Sequence, residues 1–206
     1  MLEALTALTT IAGVVLLGSA SPGPNLVAVS AGAISSRADG LWTAAGVASA
    51  SATWAMLGVT GLALVVSNSP ALYEALRWAG AAYLLFLAAK VLLGLRRSTV
   101  TAYATTPSAT NGLTAWSRGY LINMGNPKTA AFVASFFLSA LPGTGPAWLY
   151  IAAVGVAGGV SLGWYSLVAL LLSREDVRAV YGRLQFWIEL AFGVALLAMG
   201  LLLLID

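Results

Sequence analysis

Ser21-Pro22-Gly23-Pro24-Asn25 lies inside an apolar run that extends from Leu5 to Ile34. Proline has no backbone donor and clashes with the preceding helical turn, and the residue before each proline is driven out of the helical region. Two prolines around a glycine therefore interrupt this segment, although its flanks are as apolar as any membrane helix. About half a chain later, Asn123-Met124-Gly125-Asn126-Pro127-Lys128 stands in the same way between Gly119-Tyr120-Leu121-Ile122 and the run from Thr129 to Leu141. A broken helix leaves donors and acceptors unpaired, and at bilayer depth such groups survive only inside protein or beside water. Two broken apolar segments in matching positions of two halves point to the central site of a secondary transporter.

Composition supports a membrane setting. The 206 residues are 60% hydrophobic and 8% charged, with a mean hydropathy of +0.90. A soluble domain carries roughly 25% charged residues. The polar surface of a soluble globule is missing, so residues 1–206 read as a single integral membrane transport domain. There is no cysteine and no histidine. That removes disulfides, thiol chemistry, zinc sites of the usual kind and the commonest general base. No pair of carboxylates has the spacing of a hydrolase or a metal site, so an enzyme, a metal and a cofactor are not expected. The net charge of +3 is thinly spread between apolar segments, which reflects topology rather than nucleic-acid binding. Met1 to Ala20 carries Glu3 and no Lys or Arg, unlike a signal peptide, and a retained first helix is expected.

The expected fold is an all-α membrane protein of six hydrophobic segments: Leu5–Ile34 (broken), Gly40–Val66, Pro70–Gly94, Ala115–Leu141 (broken), Pro146–Leu172 and Leu184–Ile205. The four unbroken ones meet the ~20 residues a span requires. Residues 96–114, rich in Ser and Thr, read as a flexible link between a first repeat (1–95) and a second (115–206). Spacing repeats between the halves: Pro24 to Gly40 and Pro127 to Gly143 are each 16 positions, and Pro24 to Pro70 and Pro127 to Ser173 are each 46. Three spans per half would turn the second repeat upside down relative to the first. Arg37, Arg96, Arg97, Arg118, Arg174, Arg178 and Arg183 fall in the first, third and fifth connections, whereas only Arg77 falls in the second and the fourth has no charge. Basic loops stay inside, which places the odd-numbered connections in the cytoplasm and both termini outside.

The candidate substrate-binding residues are Pro22, Gly23, Pro24, Asn25, Asn123, Asn126, Pro127 and Lys128. Half-helix N-termini near Asn25-Leu26 and Lys128-Thr129 carry partial positive charge and suit a carboxylate. The Asn side chains add donors and acceptors at that level. Lys128 is an ionisable group within a membrane segment, expensive and by default functional, fit to pair with a carboxylate or to change protonation. Ser51, Tyr83 and Glu189 are weaker candidates for lining a pathway. Glu189 is placed near the membrane interface in preference to a buried proton-accepting position. Asp39 reads as a cap in a loop, and Glu74 with Arg77 as a surface pair one turn apart. The glycine-rich faces allow tight helix contacts and a homodimer.

These residues resemble the LysE/RhtB family of amino-acid exporters over nearly the whole chain. The resemblance is carried by Ser21-Pro22-Gly23-Pro24-Asn25, the Arg37-to-Gly40 turn with Gly46, Gly80-Ala81-Ala82-Tyr83-Leu84, and Arg118-Gly119-Tyr120-Leu121-Ile122-Asn123 running into Asn126-Pro127-Lys128. It implies export of amino acids or close derivatives across the bacterial inner membrane, driven by the proton motive force, with protons as the coupling ion and the lipid bilayer as setting. Many members carry an acidic residue where this chain has Ser51, so coupling here would run through Lys128, Glu189 or another group. The scarcity of acidic residues in the helices favours neutral over cationic substrates. An uncoupled permease or channel of the same fold is the alternative.

Overall fold

The computed structural model describes residues 2–68, 70–95, 111–126, 128–129, 133, 145–171 and 175–205. Among them there are helices and no strand: α1 (Leu2–Ala20), α2 (Pro24–Ser35), α3 (Arg37–Asn68), α4 (Pro70–Gly94), α5 (Gly112–Met124), α6 (Ala147–Leu171) and α7 (Glu175–Ile205). Lipid offers no hydrogen bonds, so apolar backbone pairs within each helix. Stretches of α1, α4, α6 and α7 are long and apolar enough to cross a membrane. Large apolar side chains point outward along the helices, including Phe86, Leu121, Ile151 and Trp187. On a soluble surface such a belt would be anomalous; against acyl chains it is expected.

The helix limits follow local chemistry. Pro24 and Pro70 open α2 and α4, where a missing N–H costs no helical bond. Asn111 caps α5, its Oδ1 accepting from Thr114 N at 2.8 Å. The expected start of the second hydrophobic segment, Gly40, is corrected by three residues. Ser36 Oγ accepts from Asp39 N at 3.0 Å and caps α3 at Arg37. Asp39 is therefore no loop cap. It is buried in the first turn of α3, with Arg118 of α5 4.0 Å away. The last helix likewise begins at Glu175, nine residues before the expected Leu184. Glu74 and Arg77 do form the expected pair, at 3.4 Å. Of the link 96–114, residues 96–110 lie outside the described residues, whereas 111–114 are the cap and first residues of α5 and no flexible link; residues 142–144, Ser173 and most of the run that follows Lys128 also lie outside.

Packing joins the two halves of the chain more than it joins neighbours in sequence. α3 lies against α6 and α5, α4 against α7, and α1 against α6. The α3–α5 crossing is the tightest. A Cβ on Gly46 would collide with Trp116 O, and one on Gly119 with Thr43 O. Lipid tails are as apolar as leucine, so membrane helices gain from such close small-residue contact rather than from apolar burial. Polar stitches accompany it: Trp116 Nε1 donates to Ser49 Oγ at 3.2 Å, and the Thr53 and Tyr120 hydroxyls meet at 3.3 Å. The buried apolar residues fall into two clusters, one around Ile11, Leu84, Phe192 and Leu196, the other around Leu26, Val29, Val47 and Val168. A cavity touches both.

Candidate functional site

Ser21, Pro22 and Gly23 separate α1 from α2. Ser21 N closes the last turn of α1 on Leu17 O at 2.9 Å, and Val27 N opens α2 on Gly23 O at 3.1 Å. Gly23 is fully extended, with φ 178° and ψ −179°, and supplies no side chain to cap α2. A Cβ built on it would meet nothing closer than Ser21 O at 3.9 Å, because this backbone faces the cavity.

The second junction is built differently. α5 ends at Met124, and Gly125 N reaches back to Leu121 O at 2.9 Å. Asn126 N donates to Asn123 O at 3.2 Å. Helical backbone resumes at Lys128 and Thr129. Asn126 caps this restart, its Oδ1 accepting from Lys128 N at 3.0 Å. Pro127, a candidate site residue, lies outside the described residues.

A hydrogen-bond network ties the two junctions together. Asn123, fully buried, donates from Nδ2 to Val47 O at 2.8 Å and to Ser51 Oγ at 3.0 Å. Its Oδ1 accepts from Asn25 Nδ2 at 2.8 Å and from Thr129 Oγ1 at 2.9 Å. Trp54 Nε1 donates to its main-chain oxygen at 3.3 Å. Beside this network, Lys128 Nζ donates to Ser21 Oγ at 3.0 Å and lies 4.7 Å from the Phe192 ring centroid, a cation–π distance. Lysine of the second half thus closes on the first junction. Glu189 of α7 is half-buried, accepts from Gln185 Nε2 at 3.1 Å and acts electrostatically on Lys128.

The cavity between these elements has a volume of about 60 Å³. Of the candidate residues, Gly23, Asn25, Ser51, Asn123, Asn126 and Lys128 line it. Pro22 and Pro24 shape the first junction, and Pro24 points outward. Tyr83 is elsewhere: it packs on the first apolar cluster, its ring 6.1 Å from that of Phe86. Glu189 is not among the residues that line the cavity, but it acts electrostatically on Lys128, which does. Residues not singled out as candidates complete the wall, among them Ser19, Ser161 and Phe192. Ser161 had a legible signal. With Ala157, Tyr165 and Ala169 it forms a buried stripe at four-residue steps on α6. Phe192 had none beyond lying one turn from Glu189.

A helical membrane protein with a lysine-bearing cavity between the α1–α2 junction and the end of α5 is the class defined by this fold and site. The comparison with known proteins narrows it. The model of the LysE type translocator family matches residues 16–206, and the chain belongs to that family. It is 29% identical over 202 residues to the threonine efflux protein of Escherichia coli K12, covering 96% of this chain and 97% of that protein. The threonine efflux protein of Salmonella typhimurium is 27% identical over the same shares. The leucine efflux protein of Salmonella choleraesuis is 31% identical over 126 residues, 61% of this chain and 58% of that one. No solved structure matches.

Proposed function

We propose that this chain exports a neutral amino acid or close derivative across the bacterial inner membrane. It does so as a secondary carrier driven by the proton motive force and working by alternating access. The observation that carries this reading is the placement of Lys128 Nζ. It is a cation on the wall of a cavity at the meeting of the two junctions, hydrogen-bonded to Ser21 of the opposite half. A carboxylate entering the cavity gains a charge-assisted bond there, with the uncapped first turn of α2 beside it. Efflux of threonine and leucine by the relatives supports the substrate class.

Packing supports two inverted repeats, 1–95 and 115–206. Under such a relation α3 and α6 are equivalent, as are α1 and α5, and α4 and α7. The observed contacts of α3 with α5 and of α6 with α1 are then one interface used twice, while the α3–α6 and α4–α7 pairs lie on the axis. Rocking of one repeat against the other would open the cavity to each side in turn. The basic residues support cytoplasmic odd-numbered connections and outward termini. Lys128 and Glu189 are the ionisable groups placed to answer a proton.

Lys128→Met is the direct test, in proteoliposomes with labelled threonine and leucine under an imposed pH gradient. Loss of a charge-assisted bond worth ~1.5–3 kcal/mol lowers uptake on the order of ten- to a hundredfold. Uptake at the native rate removes Lys128 from the site. Native uptake indifferent to the pH gradient replaces the coupled carrier by an uncoupled permease.

A further inference from the structure

Asn25 is 8% exposed and lines the cavity, and its Oδ1 is buried with no hydrogen-bond partner among the described residues. The surrounding bonds fix which of its two amide atoms this is. Val47 O is a backbone carbonyl and can only accept, so the Asn123 atom facing it is Nδ2. Asn123 Oδ1 therefore faces Asn25, and only an N–H of Asn25 can meet it. Asn25 Nδ2 donates to Asn123 Oδ1, and Asn25 Oδ1 has no partner among the described residues. An isolated buried acceptor is costly until a donor reaches it.

The vacancy has a complement. Asn25 follows Pro24 as Lys128 follows Pro127, so a residue with an unpaired acceptor and a residue with a cation, each one position after a proline, line a single cavity. We propose that Asn25 Oδ1 reads the nitrogen of the ligand. It accepts a hydrogen bond from the ammonium of a zwitterionic amino acid whose carboxylate is held at Lys128, and it disfavours the same acid without that donor. This inference rests on the reading of the cavity as an amino-acid site, and it adds the specificity of one named atom.

The test uses the full chain purified in lipid nanodiscs and reads ligand-dependent shifts in thermal unfolding, from which apparent affinities follow. Leucine and threonine are compared first, and the tighter of the two sets the series: the amino acid, its 2-hydroxy analogue and the acid unsubstituted at that carbon. The unsubstituted acid is smaller, so steric exclusion cannot explain its weaker binding. The amino acid is expected to bind on the order of ten- to a hundredfold more tightly than the unsubstituted acid, with the hydroxy acid between them. Asn25→Ala is expected to shrink that ratio to about twofold. Equal affinity of the amino and unsubstituted acids for the native protein overturns the assignment of Asn25 and leaves the Lys128 reading standing. So does an Asn25→Ala protein that weakens all three acids by one common factor. Binding of none of them overturns both readings. Should Asn25→Ala fail to fold, the series on the native protein decides alone.

Discussion

Asn25 and Asn123 touch at 2.8 Å, one from each half of the chain, and their side chains are in opposite states. Asn123 has both N–H groups and its amide oxygen committed to protein partners on α2, α3 and the restart after α5. Asn25 lines the cavity, and its buried oxygen has no partner among the described residues. The glycines repeat the contrast. Gly119, on the same helix as Asn123, is pressed against α3 with no space for a methyl group, whereas Gly23, two residues before Asn25, has open space above it. Residue type therefore does not separate a rivet from a receptor; the tally of used and unused hydrogen-bonding capacity does. One side of the site is a closed joint that fixes distance between the halves, and the other is left unsaturated for a guest.

The largest expected effect breaks the closed joint. In Gly119→Ala the new methyl group collides with Thr43 O, a backbone atom that cannot swing aside. Overpacking costs ~1–3 kcal/mol where side chains can shift and more where they cannot, so folded yield and melting temperature should both fall sharply. A Gly119→Ala protein that melts like the native one would show that the α3–α5 crossing is loose, and the rivet half of the contrast would go with it.

Next in size is the comparison of Asn123→Ala with Asn25→Ala. Side-chain hydrogen bonds within membrane proteins average ~0.6 kcal/mol each. Asn123→Ala removes four such bonds and should cost about 2 kcal/mol. Asn25→Ala removes the donation to Asn123, but it also deletes an acceptor that has no partner among the described residues. Its net cost should stay below ~1 kcal/mol, while its transport is impaired. Unfolding of both variants in the same detergent or nanodisc checks this. Equal destabilisation would mean that Asn25 is as structural as its neighbour.

What could be read from the sequence was what is decided locally. Pro70 and Gly94 bound α4 at the expected residues because proline and glycine act on their own backbone. The separation of α1 from α2 at residues 21–23 follows from the same local constraint. Lys128 and Asn25 drew notice because a cation and an amide are conspicuous in an apolar run. The saturation of Asn123 was hidden, since it depends on Val47, Ser51 and Asn25, between 72 and 98 residues away. Asp39 was read as a loop residue because the Ser36 cap starts α3 earlier than expected, and its neighbour across the fold, Arg118, is remote in sequence. Phe192 lies in an almost uniformly apolar helix, where sequence alone does not separate the cavity face from the lipid face. Tyr83 drew notice by its hydroxyl, but that helix packs on α7 and not on the cavity.

Gly23→Ala sharpens the contrast with the smallest change in stability. Its φ of 178° is extended backbone open to alanine, and the nearest atom to the new Cβ is 3.9 Å away. A glycine replaced by alanine at a compatible position gains ~0.4–1 kcal/mol through the unfolded chain, so melting should be unchanged or slightly raised. The methyl group nevertheless projects into a cavity of about 60 Å³, where it competes with the cargo. Substrate-dependent stabilisation and proteoliposome uptake should therefore fall several-fold while the empty protein is no weaker. That combination separates a ligand-facing glycine from a packing glycine, because Gly119→Ala must lose stability and transport together. If Gly23→Ala also lowers the melting temperature, the first junction is packed rather than open, and the cavity wall has been drawn on the wrong side of it.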